Sequence, residues 1–181
     1  MAKPRVLIFI DWFVPAFKAG GPIKSVKNIV GTLSNEFDFY ILTSDRDIGD
    51  DTSYSTEQLN QWVQKEGFKI AYLTPDQRAS FMRSIMENEP FDSYYFNSLY
   101  SKHYTLEPLK WLKKKRPGAN IILAPRGMLG KGALQIKSLK KKVFLAATKA
   151  TSFFNGITWH ATDQEEVNDI TAKFPNAPVL N

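Results

Sequence analysis

The sequence has no cysteine, and this absence excludes disulfide bonds, thiolate metal sites and cysteine nucleophiles. It also has no apolar run near the roughly 20 residues that a membrane-spanning helix needs. The short apolar run 5–10 lacks the small-residue cleavage site of a signal peptide. We therefore expect a cytoplasmic location, whose reducing conditions suit a chain without disulfides.

Acidic residues are missing from a long internal stretch. Between Pro108 and Thr162 there is no Asp or Glu, whereas this stretch holds 12 of the 24 Lys and Arg residues, and all 18 acidic residues lie elsewhere. A surface with such one-sided charge attracts phosphates, nucleic acids or anionic lipids. A solvated surface that only keeps the protein in solution is the other interpretation, and the sequence leaves both open.

Two nucleotide-binding motifs are also missing, the GxGxxG fingerprint and the P-loop, which disfavours an NAD-dependent enzyme or a P-loop kinase. The chain instead alternates apolar runs with amphipathic patterns. Predicted strands cover 5–10, 37–43, 68–73, 91–96, 120–124, 157–160 and 178–180, and predicted helices cover 23–33, 75–88, 106–115, 133–148 and 163–173. This alternation predicts a single α/β domain over 1–181, with a Rossmann-like, doubly wound, mostly parallel sheet flanked by helices.

Ligands of an open parallel sheet bind beyond the carboxyl ends of its strands, so the segments after the predicted strands are the candidate sites. The first segment contains Gly20 and Gly21 ahead of a predicted helix. Backbone amides and the helix N-terminus favour an anion there. A tight turn that needs glycine only for its geometry is the alternative.

The segment after the fifth predicted buried strand is the most informative. Arg126 stands between Pro125 and Gly127, a position suited to bidentate contact with a phosphate or carboxylate, or to hydrogen bonds with sugar hydroxyls. Lys131 follows between two glycines, which keep the approach to the next helix open. By itself this segment predicts a site for an anion or another polar ligand.

The segment before it holds Asn97 and His103. His103 is one of only two histidines, and a lone histidine near a helix start is commonly a surface or capping residue. Thr105 is the predicted N-cap of the helix 106–115, with Pro108 in the first turn.

The loop 44–58 is predicted to lie on the surface, and it contains Asp45, Arg46 and Asp47. Its carboxylates suggest a divalent cation site, but their spacing does not fit an EF-hand, and Arg46 competes for them. An exposed polar loop braced by Asp–Arg contacts is the favoured alternative.

The helix 133–148 is predicted to be basic and amphipathic. Its apolar face and its lysines are Ile136, Leu139, Val143 and Ala147, and Lys137, Lys140, Lys141 and Lys142. Such a helix suits an anionic membrane surface. An ordinary surface helix whose lysine stems cover the sheet is the favoured alternative.

Taken in order, several stretches resemble the N-terminal domains of family-4, GT-B-fold bacterial glycosyltransferases that make surface polysaccharides. The matching stretches are PAFKAGGPIKSVKNIV (15–30), TSDRDIGD (43–50), YYFNSLYS (94–101), ILAPRGMLGKGALQIKSLKK (122–141) and WHATDQEEVNDI (159–170). They cover the chain nearly end to end. The closing residues 177–181 resemble the strand that leads to the hinge of such enzymes.

The resemblance implies a retaining glycosyltransferase that passes a sugar from a nucleotide-sugar donor to a glycan or lipid-linked acceptor. This domain would receive the acceptor, and a C-terminal domain absent from the chain would hold most of the donor. Gly20 and Gly21 would then bind the donor diphosphate, and the segment Pro125–Gly127 would face the transferred sugar. Arg126, where many relatives have histidine, is the candidate catalytic residue. Asn97, Pro125, Gly127, His103 and Lys131 are candidate acceptor- or sugar-binding residues.

The same resemblance implies no metal and no cofactor, and no sugar transfer by the chain alone. It leaves room for peripheral contact with the anionic inner face of the membrane, and no specific nucleic-acid partner is expected. Two alternatives stay open. One is a non-catalytic basic module that binds nucleic acid or anionic lipid, and the other is a metal-dependent transferase using Asp45 and Asp47.

Overall fold

The computed structural model describes residues 2–135 and 138–181, without the side chains of Lys131 and Ser138. The strands are β1 (Arg5–Phe9), β2 (Asp38–Ser44), β3 (Val63–Lys65), β4 (Phe68–Leu73), β5 (Ser93–Phe96), β6 (Ile121–Leu123), β7 (Thr158–His160) and β8 (Val179–Leu180). The helices are α1 (Gly21–Leu33), α2 (Arg78–Asn88), α3 (Glu107–Lys115), α4 (Lys131–Gln135), α5 (Ser138–Ala150) and α6 (Gln164–Lys173). A π-helical turn, Lys102–Leu106, leads directly into α3.

The described strands form one eight-stranded sheet in the order β3-β4-β2-β1-β5-β6-β7-β8. All neighbouring pairs are parallel except β3–β4. The chain moves outward from β1 in one direction through β2 and β4, and from β5 in the other direction through β6, β7 and β8. This reversal puts the topological switch point between β1 and β5 and confirms the predicted Rossmann-like, doubly wound α/β fold.

Helices cover both faces of the sheet because the two directions of travel place right-handed crossovers on opposite faces. Helix α1 packs Ile23, Val26 and Val30 onto one face, and α2, α3, α5 and α6 pack onto the other. Each face of the sheet has its own hydrophobic core, and alternate strand residues contribute to the two cores. Ile8 packs in one core and Phe9 in the other. The rings of Phe9 and Phe96 stack at 4.6 Å across the switch point, so the sheet is firmly packed where its topology reverses.

All seven predicted strands are present, and β3 was missed. This three-residue strand, Val-Gln-Lys, is too short and too polar to show a hydrophobic period. It pairs antiparallel with β4 through a tight connection that includes Gly67 at φ 81°. Glycine supplies this left-handed conformation, so Gly67 was the local signal for a turn.

The basic helix differs from its prediction in its buried face. Leu139 and Val143 are 74% and 61% exposed, whereas Leu145 and Thr148 are buried. Lys141 does fold back, with its amine 5.3 Å from the centroid of the Tyr100 ring. Ile136 and Lys137 lie outside the described residues. The described part of the helix therefore presents two large apolar side chains to solvent.

The start of α3 also differs from its prediction, because Thr105 is not the N-cap. Helical structure begins one turn earlier, where the Ser101 hydroxyl accepts a hydrogen bond from the Tyr104 amide. Thr105 is buried inside the π-helical turn and donates to the Ser98 carbonyl at 2.7 Å. Within the described residues, no helix has the length and apolarity that crossing a bilayer requires.

Candidate functional site

Asn97, at the carboxyl end of β5, connects two of the predicted site segments. Its side chain is almost fully buried, with 2% exposure. The side-chain Oδ1 accepts a hydrogen bond from Nε of Arg126 at 2.6 Å, and Nδ2 donates to the Pro22 carbonyl at 3.4 Å. The Gly20–Gly21–Pro22 turn and Arg126 therefore lie on either side of one amide, next to the switch point. We call these residues the Asn97 site.

Arg126 is held in a left-handed backbone conformation that non-glycine residues seldom adopt. Its φ is 54°, and Gly127 follows with φ 72°, so two successive residues are left-handed. A non-glycine residue in this region costs about 1–3 kcal/mol. Two nitrogens of the guanidinium are fixed, Nε by Asn97 and Nη2 by the Tyr95 hydroxyl at 2.8 Å. Nη1 is buried and has no hydrogen-bond partner in the described residues.

An unpaired buried donor costs about 1–3 kcal/mol. An oxygen of a bound phosphate, carboxylate or sugar would offset this cost by accepting from Nη1. Because the other two nitrogens are already fixed, little side-chain entropy would be lost on binding. The arrangement of Arg126 is thus preorganised for an acceptor oxygen.

Two hydrogen bonds through the Tyr95 hydroxyl connect Arg126 to His160 at the end of β7. The Tyr95 hydroxyl accepts from Arg126, so its proton points to Nδ1 of His160, which lies 2.7 Å away. This assigns the neutral His160 tautomer with the proton on Nε2. Burial, and then the positive charge of Arg126, lowers the pKa of His160. Burial raises the pKa of Tyr95 to about 12. The His160 imidazole and the Tyr95 hydroxyl are therefore both uncharged near pH 7.

Glu166 holds the Arg126 loop from the other side. Its carboxylate is buried, with 4% exposure, and it accepts hydrogen bonds from the Gly127 amide and from both the amide and the hydroxyl of Thr162. Its own amide donates to the N-cap residue Asp163 at 2.8 Å. The start of α6 thereby fixes the left-handed turn that carries Arg126.

The Gly-Gly segment exposes an uncapped helix N-terminus. Gly20 precedes α1 with φ 64°, and no side chain caps the first amides of the helix. A Cβ placed on Gly20 or Gly21 would meet nothing within 4 Å, so neither glycine is required by a close neighbour. The left-handed φ requires glycine only at Gly20. Free amides, open space and the positive end of α1 together favour a bound anion.

The acidic loop braces this segment. The Asp47 carboxylate accepts from the amides of Phe17, Lys18 and Ile48 at 2.7–3.1 Å, and Asp45 pairs with Arg46 and Ser53. The predicted Asp–Arg contact is confirmed, but these two aspartates are buried rather than exposed. Hydrogen bonds hold the pKa of Asp47 below its usual value although burial opposes them. The carboxylate oxygens of Asp45 and Asp47 accept hydrogen bonds from protein donors. In the described ranges, no three acidic or histidine side chains are grouped to hold a metal ion.

Of the other predicted residues, Pro125 and Gly127 flank Arg126 within the site. His103 lies apart from it, on the π-helical turn, where its Nδ1 contacts Glu107 at 2.9 Å. The side chain of Lys131 lies outside the described part of the structure, and its backbone begins α4.

Three residues of the site were not singled out from the sequence: Tyr95, His160 and Glu166. Tyr95 was assigned to an apolar strand, although its position two residues before Asn97 places both side chains on one face. His160 ends a predicted strand and so reaches the carboxyl edge. Asp163 and Glu166 have the spacing of a capping box, which predicts a structured helix start but not the contact with Gly127.

A groove of about 500 Å³ lies elsewhere. It is lined in part by Ile157 and Pro178, which immediately precede β7 and β8, and it therefore opens at the amino ends of the strands. Ligands of parallel sheets bind at the opposite edge, where the Asn97 site gathers uncapped amides and an unpaired guanidinium nitrogen. We therefore take the Asn97 site as the functional candidate.

Neither a family model, nor a curated protein, nor a solved structure matches the chain. The functional assignment consequently depends on the geometry of the Asn97 site and on the motifs in the sequence.

Proposed function

We propose that this chain is the acceptor-side domain of a retaining, GT-B-type glycosyltransferase, and that the Asn97 site receives the diphosphate and the sugar of a nucleotide-sugar donor. The observation that carries the proposal is the shared contact of Asn97 with Arg126 and the Pro22 carbonyl. Through Asn97, the uncapped N-terminus of α1 and the guanidinium of Arg126 lie close to each other.

This chemistry suits transfer of a sugar from a diphosphate. Negative charge grows on the departing diphosphate as the sugar–oxygen bond breaks, and fixed amides and cations stabilise that charge. The uncapped amides at the start of α1, from Gly21 onward, bind the diphosphate, whereas the Gly20 amide already donates to the Phe17 carbonyl at 3.2 Å. Arg126 binds an oxygen of the leaving group or of the sugar. Neutral His160 keeps Arg126 oriented through Tyr95. The proposal requires no metal or other cofactor.

A second domain is part of the proposal, because the described site is an open edge with only one guanidinium. The acceptor would be a glycan or a lipid-linked saccharide bound on this side of the cleft. Residues 1–181 alone are then expected to transfer no sugar, and transfer by this chain without a partner domain would contradict the two-domain hypothesis.

The diphosphate site can be tested directly on this chain with inorganic pyrophosphate. We expect saturable shifts of the Gly20, Gly21 and Ile23 amides in ¹H–¹⁵N NMR spectra, with a dissociation constant of about 1 mM or weaker. Arg126→Gln should weaken this binding, because one charge-assisted hydrogen bond is lost.

Arg116→Gln is the matched control. Arg116 also donates to a tyrosine hydroxyl, that of Tyr94 at 3.1 Å, but it lies before β6 at the amino edge of the sheet. Shifts confined to the lysines of α5, with Gly20 and Gly21 unmoved, would count against the diphosphate site.

The exposed face of α5 favours a second role, attachment to an anionic membrane surface. Leu139 and Val143 lie one turn apart and are mostly exposed, and the exposed lysines Lys140, Lys142 and Lys149 lie on the same helix. Apolar side chains flanked by lysines fit a lipid surface better than a nucleic acid, whose backbone offers no apolar partner. We propose that this face contacts anionic lipid.

Vesicle sedimentation tests this contact. We expect the chain to bind vesicles that contain phosphatidylserine, less strongly as salt rises, and the double variant Leu139→Gln, Val143→Gln to bind at least about tenfold more weakly. The control is Phe17→Gln, Ile48→Gln, which removes two exposed apolar side chains outside α5. An equal loss in both double variants would refute a specific role for α5.

A further inference from the structure

A groove between α2 and α3 lies outside the Asn97 site and is not used by the proposed function. Its volume is about 280 Å³, near the lower end of ligand clefts, which are roughly 300–1,000 Å³. Arg78 and Arg83 line it from α2, and His103 lines it from the π-helical turn. Such a volume accommodates a ligand the size of a single ring with one substituent.

The groove carries excess positive charge. Within residues 2–135 and 138–181, neither Arg78 nor Arg83 forms an ion pair with a carboxylate. The carboxylate that lines the groove, Glu107, is already engaged by His103 at 2.9 Å and by Lys102 at 3.8 Å. Both guanidinium groups can therefore meet an anion, although the charge of Arg78 also acts on the buried carboxyl of Asp11.

The floor of the groove is apolar. Met82 and Met86 are buried one turn apart on α2, and the partly buried ring of Trp111 faces them from α3. Thioether and indole side chains pack well against a flat apolar body. Arg78 is itself positioned over the Tyr104 ring, 5.6 Å from its centroid, which orients its guanidinium beside the floor.

We propose that the α2–α3 groove is a binding site for a small amphiphilic anion, with a phosphate or carboxylate on Arg78 and Arg83 and a flat apolar body on Met82, Met86 and Trp111. The guanidiniums alone would accept any anion, and the floor alone any apolar ring. Their adjacency in one small groove selects a ligand that combines both. This site does not depend on the glycosyltransferase proposal.

The test uses phenyl phosphate as the probe, with inorganic phosphate and phenol as its two separate halves. The indole N–H of Trp111, assigned with Trp111→Phe, reports occupancy of the groove in ¹H–¹⁵N NMR titrations, and the Gly20 and Gly21 amides report the Asn97 site. We expect phenyl phosphate to shift the Trp111 indole saturably, and at concentrations at least severalfold lower than either half. Benzoate in place of phenyl phosphate distinguishes a carboxylate from a phosphate preference.

Arg83→Gln should weaken phenyl phosphate binding about tenfold, since it removes a charge-assisted contact from an exposed position. The control Lys110→Gln removes an exposed positive charge from α3 that does not line the groove, and it should bind like the wild type. The proposal is overturned if phenol alone saturates the Trp111 shift as well as phenyl phosphate does, or if Arg83→Gln has no effect. It is also overturned if only Gly20 and Gly21 respond, a result that would support the diphosphate site instead.

Discussion

Arg126→Ala, in the proposed two-domain enzyme, is expected to slow sugar transfer by roughly 10²–10³, the usual cost of one lost electrostatic donor. The reason is the unpaired Nη1, which is buried without a partner in the described residues, while Nε and Nη2 are fixed by Asn97 and Tyr95. A donor that is already oriented stabilises developing charge without reorganisation. Steady-state kinetics with a nucleotide-sugar donor would measure the effect.

Stability should change much less than turnover in this variant. The substitution loses two hydrogen bonds but also removes the unpaired buried nitrogen, and these effects partly cancel. Arg126→Lys keeps the charge but not the forked geometry and should recover only part of the rate. Arg126→His tests whether an imidazole can replace the guanidinium at this position.

Arg116→Ala is the matched control, because Arg116 also bonds a tyrosine hydroxyl but lies at the opposite edge of the sheet. Equal rates for wild type and Arg126→Ala would remove Arg126 from the site. Equal losses in Arg126→Ala and Arg116→Ala would show that the rate follows general folding defects rather than chemistry.

The fold was predictable because its strands are buried on both faces. Continuously apolar runs such as RVLIF and NIILA indicate parallel strands. The amphipathic segments between them indicate crossover helices. What sequence reasoning missed were elements set by tertiary contacts. The short strand β3 exists because β4 offers it an edge, and Thr105 is buried because the chain already turns at Ser101.

The helix α5 shows the same limit. Its sequence allows two apolar faces, one containing Leu139 and Val143 and the other containing Phe144 and Leu145. Periodicity alone selected the first face, whereas the structure buries Leu145 and partly buries Phe144. Aromatic partners decide the choice, since Phe144 packs against Tyr100 and Phe154 with ring centroids 5.2 and 6.3 Å apart.

The location of the candidate site was predictable from the sequence, whereas the hydrogen-bond partners within it were not. The rule that ligands lie beyond strand carboxyl ends identified Gly20, Gly21, Asn97 and Arg126. It did not identify which side chains would orient Arg126, because Tyr95 and Glu166 act through contacts 31 and 39 residues away in sequence. For His103 the same rule was misleading. This residue follows β5, as Asn97 does, yet it lines the α2–α3 groove rather than the Asn97 site.

Glu166→Ala is expected to destabilise the domain by roughly 3–5 kcal/mol, because three hydrogen bonds of about 1.5–3 kcal/mol each are lost and removal of the buried charge offsets part of that sum. The substitution leaves the Gly127 amide and the Thr162 amide and hydroxyl without their acceptor. It also leaves a void where a buried carboxylate stood. Chemical denaturation, with the free energy of unfolding extrapolated to water, would measure the loss.

Glu165→Ala is a matched control one residue away on α6, where the side chain is exposed, and it should change stability by less than about 0.5 kcal/mol. Glu166→Gln retains an acceptor oxygen and should fall between the two. Glu166 also fixes the left-handed turn that presents Arg126, so Glu166→Gln should weaken pyrophosphate binding even where the domain remains folded. If Glu166→Ala is as stable as Glu165→Ala, the buried carboxylate does not hold the Arg126 loop, and the preorganisation of the guanidinium must have another source.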